Sequence, residues 1–92
     1  MVGSDMNKAD SINELLVSLE RILALIEAAG HEPDGYRGVN KARNIAKNRD
    51  PGGLKGIVRH LDGDFRMIYD NMVGGEELHR EMEKAYSIAS RL

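Results

Sequence analysis

Residues 11–30, SINELLVSLERILALIEAAG, decide the fold. Placed every 100°, Ile12, Leu15, Leu16, Leu19, Ile22, Leu23 and Ile26 fall within an arc of about 120°, the one-sided stripe of a helix packed on a core. Ser11 and Glu14 have capping-box spacing, which predicts the helix start at Ser11. Gly30 can take the left-handed conformation that stops a helix. The stretch predicts an amphipathic helix of roughly 18 residues, about 27 Å long. Val17, Leu25 and Ala28 fall on its other face. They read either as solitary exposed side chains or as part of a second contact with a helix or protomer.

Outward from this helix the pattern stays helical. Pro33 and Gly35 mark a loop, and Tyr36, Val39, Ala42 and Ala46 then make a narrow stripe of mostly small residues over 36–48. Asp50-Pro51 is an N-cap/N1 pair after the next break. Leu54, Ile57, Val58 and Leu61 predict a third helix, weakened by Gly52, Gly53 and Gly56. Asp62-Gly63-Asp64 predicts another break, with Asp64 capping a fourth helix on Phe65, Ile68, Tyr69 and Met72. Gly74-Gly75 ends it. Glu76 and Glu77 open a last helix with Leu78, Met82, Ala85, Ala89 and Leu92 inward.

No segment alternates with period two, so no strand is predicted. The expected fold is all-α, a compact bundle of four to five helices with the first and last longest. Its core is expected to come from those two helices, closed by the third and fourth. Residues 1–10 read as a disordered or appended leader, with Met6 a natural start, and 11–92 as one domain. The chain has no cysteine, which removes disulfides and thiolate chemistry and fits a reducing cytoplasm. Its longest apolar run, Ile22 to Ile26, is far short of the ~20 residues of a membrane span.

The charges are sorted by position. Residues 37–60 hold seven bases, Arg37, Lys41, Arg43, Lys47, Arg49, Lys55 and Arg59, against the single acid Asp50. Residues 1–36 carry two bases against seven acids, and residues 61–92 four against seven. The net charge of −2 hides a basic centre between acidic ends. On a helix Arg37, Lys41, Asn44 and Asn48 form one line, and Lys55 and Arg59 a second. With Lys47, these residues (Arg37, Lys41, Asn44, Lys47, Lys55, Arg59) are the candidate polyanion site. The stronger expectation is neutralisation by the protein's own acidic helices, because a pI near 5.9 is unlike that of nucleic-acid binders. No aromatic interleaves the stripe apart from Tyr36, which argues against a stacking platform for single strands.

Other chemistry has less support. His60, Asp62 and Asp64 lack the further oxygen ligands of a calcium loop, so helix capping explains these acids better and no metal site is expected. Glu76, Glu77, Glu81 and Glu83 lack the facing carboxylates of a metal-dependent phosphohydrolase. They are expected to pair with Arg80, Lys84 and His79 on a solvated face. No serine lies in a nucleophile elbow, and no phosphate-binding glycine motif occurs. Neither catalytic residues nor cofactors are expected, and the chain reads as a non-enzyme.

Three segments carry a resemblance: Ile22 to Gly30, Leu54 to Arg59 (Leu-Lys-Gly-Ile-Val-Arg) and Gly63 to Asp70 (Gly-Asp-Phe-Arg-Met-Ile-Tyr-Asp). In this layout the chain resembles small all-helical bacterial proteins of a domain family of unknown function. The resemblance implies a bacterial cytoplasmic protein and no catalytic residues. The functional expectation is a protein–protein interaction module, self-associating as a homodimer through Val17, Leu25 or Met67, or binding another protein. The alternative is nucleic-acid or polyanion binding through residues 37–59.

Overall fold

The computed structural model describes residues 8–92; the N-terminal seven, including Met6, lie outside the described residues. The described chain is all-α. Its helices are α1 (Lys8–Ala28), α2 (Arg37–Asn48), α3 (Pro51–Leu54), α4 (Ile57–Asp70) and α5 (Glu76–Ser90), with a 3-10 turn at Pro33–Gly35. α1 and α5 are the longest, at 21 and 15 residues. α1 packs against α2 and α5, and α4 packs against the same two. The four long helices thus form a ring in the order α1, α2, α4, α5, with α2 diagonally opposite α5.

Two predicted helix starts are overridden by tertiary partners. α1 begins at Lys8, so Ser11 lies inside it. Glu14 reaches Lys84 across the bundle at 3.9 Å instead of closing a capping box. The break at Asp62-Gly63-Asp64 does not form, and α4 runs straight through it. The reason is packing: Ile57, Leu61, Phe65 and Ile68 make one continuous buried stripe. That burial outweighs the cost of an exposed helical glycine, about 1 kcal/mol. Asp64 also has no need to bond its own backbone, because its Oδ2 accepts the Val39 N–H at 2.9 Å. The acid expected to cap the fourth helix caps α2 instead, where Tyr36 offers no side-chain cap.

α2 is therefore central, although its stripe looked weak. Tyr36, Val39, Ala42, Ile45 and Ala46 are all buried. The small residues let it approach α4 closely: a Cβ on Gly38 would overlap the His60 carbonyl oxygen. Elsewhere the local signals stand. Asp50 caps α3 through the Gly52 N–H at 3.1 Å. After α1, Gly30 takes φ +88° and the His31 N–H closes onto the Ile26 carbonyl at 3.2 Å. α2 and α4 end in the same way, but with Arg49 and Met72 in the left-handed position. Their closing bonds are Asp50 N–H to Ile45 O, 3.2 Å, and Val73 N–H to Ile68 O, 3.0 Å.

A polar clamp fixes α5 on α1. The buried Ser18 hydroxyl donates to Glu81 Oε2 at 2.6 Å, and Arg21 lies 3.5 Å from the other oxygen. Arg21 also reaches Glu77 at 3.7 Å.

Candidate functional sites

Two surfaces stand out, one charged and one apolar. The charged surface is the outer face of α2. Gly38, Ala42 and Ile45 lie on one arc of the helix, with Gly38 turned to α4. Val39 and Ala46 complete the buried side. The opposite arc holds Arg37, Lys41, Asn44, Lys47 and Asn48, all exposed. Glu32 and Asp34 precede the helix and Asp50 follows it, but residues 37–49 contain no acid.

Neutralisation by pairing with the acidic helices is not seen among the described residues. The ion pairs there are Arg21 with Glu77 and Glu81, Arg80 with Glu76, and Lys84 with Glu14. Glu14 of α1 and Glu76, Glu77 and Glu81 of α5 are matched by bases of the same two helices. Glu76–Arg80, at 2.7 Å, is the expected helical pair. Lys84 and Glu81 pair across to α1 rather than with each other. Among the described residues none of the seven bases between 37 and 59 makes an ion pair. Arg49 donates to Asn13 at 2.7 Å, and Arg43 reaches Asn44 at 3.5 Å. The half-buried Arg43 keeps its Nε without a hydrogen-bond partner.

Not all the candidate bases share that face. His60 and Asp64 mark the side of α4 against α2. Arg59, one residue before His60, is turned 100° from it, and 140° from Asp64. Arg59 thus projects away from α2. Lys55 is exposed at the C-cap of α3. Arg37, Lys41, Asn44 and Lys47 come together; Arg59 does not join them.

The apolar surface is a groove between α4 and α5 with a volume of about 480 Å³. Phe65, Tyr69, Met82 and Tyr86 line it, with Asp62, Glu83 and Arg66 among the polar groups. Phe65 and Tyr86 hold their ring centres 6.5 Å apart. Tyr69 lies 4.9 Å from the His79 ring, whose Nε2 is 3.2 Å from the Val73 carbonyl. Phe65 and Tyr69 recur at i, i+4 and so were readable only as core. The missed signal is that three of the four aromatics fall between residues 65 and 86.

Asp62 and Asp64 are 200° apart around α4 and serve different ends, one at this groove and one at α2. Asp62 lies against the Tyr86 hydroxyl; its hydrogen bond and its negative charge both hold the phenol proton and raise the Tyr86 pKa above 10. Burial, then the Glu83 charge, raises Tyr69 as well. Both folded-state values lie above those of the unfolded chain, so deprotonation opposes folding and stability falls as pH rises past 10. Absorbance titration of Asp62→Asn should bring part of the phenol signal back toward pH 10, while the unsubstituted protein titrates later.

The candidate self-association residues are scattered. Val17 is 62% exposed on α1. Leu25 is partly buried and packed against the core. Met67 is exposed on α4, two residues and thus 160° round the helix from Tyr69. α1 and α4 are diagonal in the ring, so the three do not form one patch. Met72, at φ +52°, is 82% exposed. A side chain in that conformation costs about 1 kcal/mol, so Met72→Gly should raise the urea midpoint correspondingly.

No protein-family model, no curated protein and no solved structure matches this chain. No described helix is long and apolar enough to cross a membrane.

Proposed function

We propose that this chain is a non-enzymatic interaction module that self-associates through the α4–α5 face. The observation that carries the reading is the distribution of exposed apolar side chains. Of the five large ones among the described residues, Tyr69 and Tyr86 lie together at this groove, whereas Met67 and Val17 lie on other faces and Met72 just after α4. Tyr69 and Tyr86 rim the groove, over the buried Phe65 and Met82. Clustered exposed apolar surface of this kind marks a contact site.

A second copy is the occupant that suits the groove. Arg66 lines it without a described ion partner, and Asp62 and Glu83 line it too. In a two-fold contact each copy's Arg66 meets the other copy's acids, which makes the surface self-complementary. The cysteine-free sequence suits a reducing cytoplasm.

Sedimentation at ~100 μM, far above the dissociation constant of a stable dimer, should give twice the chain mass. Tyr69→Asp and Tyr86→Asp should each return the mass to that of a monomer with the helical circular dichroism unchanged. A monomer for the unsubstituted protein at that concentration refutes the reading.

A further inference from the structure

We infer that the outer face of α2 binds the phosphate backbone of a nucleic-acid duplex, a site separate from the self-association face. Three observations converge on it. The solvent-facing arc of the helix presents Arg37, Lys41 and Lys47 with Asn44 and Asn48, and the helix contains no acid. None of these bases makes an ion pair among the described residues, whereas Arg21 of α1 and Arg80 and Lys84 of α5 do. The ring places α2 diagonally opposite α5, away from the acids Glu76, Glu77, Glu81 and Glu83.

The chemistry of this face selects the ligand. Lys and Arg neutralise phosphates, and Asn donates to phosphate or bonds to base edges. Twelve helical residues span about 18 Å, and a helix fits the ~12 Å major groove. A single strand is disfavoured, because Tyr36 is buried and the exposed arc offers no ring on which bases could stack. Asp64 already occupies the Val39 N–H in the first turn. The contact therefore runs along the side chains and does not use the helix N-terminus.

The site is small, and three neutralised phosphates set its expected behaviour. Counterion release gives a log–log salt slope of about −2.7, so affinity for duplex should fall about 40-fold between 50 and 200 mM salt. Anisotropy with labelled 20-base-pair DNA and RNA duplexes, a single strand and poly-glutamate tests this in the full chain. Lys41→Ala should weaken duplex binding several-fold and flatten the slope by about 0.9. Arg59→Ala removes the same charge from a side of α4 turned away from the face, and should leave the slope unchanged. Circular dichroism checks that both variants are folded.

The inference is overturned by no duplex binding at 50 mM salt with ~100 μM protein, the weak limit for non-specific contacts. It is also overturned by equal effects of the two substitutions, by tighter binding of the single strand, or by binding of poly-glutamate alone.

Discussion

Gly38→Ala is expected to lower the unfolding free energy by about 3 kcal/mol, within the range for overpacked contacts. The added Cβ falls on the His60 carbonyl oxygen, which is helical backbone and cannot swing aside as a side chain would. α2 and α4 must then part along their length. The separation also draws Asp64 away from the Val39 N–H, adding the loss of a helix cap, about 1 kcal/mol. The same substitution at Gly63 should have the opposite sign. Gly63 is helical and exposed, with open space where its Cβ would stand. Gly63→Ala is expected to stabilise by nearly 1 kcal/mol. Urea unfolding of the two variants checks both; a stable Gly38→Ala protein refutes the close helix approach.

Glu81→Ala should cost about 2–3 kcal/mol, more than any other surface-accessible acid in the bundle. Its weight comes from Ser18, only 1% exposed, whose hydroxyl donates to the carboxylate at 2.6 Å. A hydrogen bond to a charged group contributes about 1.5–3 kcal/mol, and its removal leaves a buried hydroxyl with only a 3.3 Å contact to the Glu81 carbonyl. The Arg21 pairs add little, because the Arg21 side chain is 60% exposed and solvent screens it. Glu81→Gln keeps an acceptor for Ser18 and should cost about half as much. Equal losses for the two variants would place the stabilisation in the Arg21 charge pair instead.

The contrast between Glu81 and Glu76 explains what was legible. Both sit on a helix with a base three or four residues away, and sequence spacing treats them alike. Glu76 pairs locally with Arg80, whereas Glu81 is drawn to α1 by a buried serine. Nothing within one helix distinguishes them, because the deciding partner is 63 positions away. Asp64 repeats the lesson. Its place before an apolar run is that of an N-cap, yet its bond is to Val39, 25 positions earlier. The apolar groove was hidden for a related reason: Phe65 and Tyr69 both show core periodicity, yet Phe65 is buried while Tyr69 stays exposed at the groove between α4 and α5.

Periodicity and punctuation in the sequence sufficed for the all-α class, for the long first and last helices, and for the stops at Gly30 and the Asp50-Pro51 cap. These are local properties, set by side-chain spacing along one helix and by backbone freedom at one residue. The continuity of α4, the central role of the small-residue α2 and the pairing of acids were decided by the tertiary structure. So was the segregation of basic α2 from acidic α5. Each depends on which helices become neighbours in the ring. Charge and hydrogen bonding act through space, whereas a sequence orders residues only along the chain.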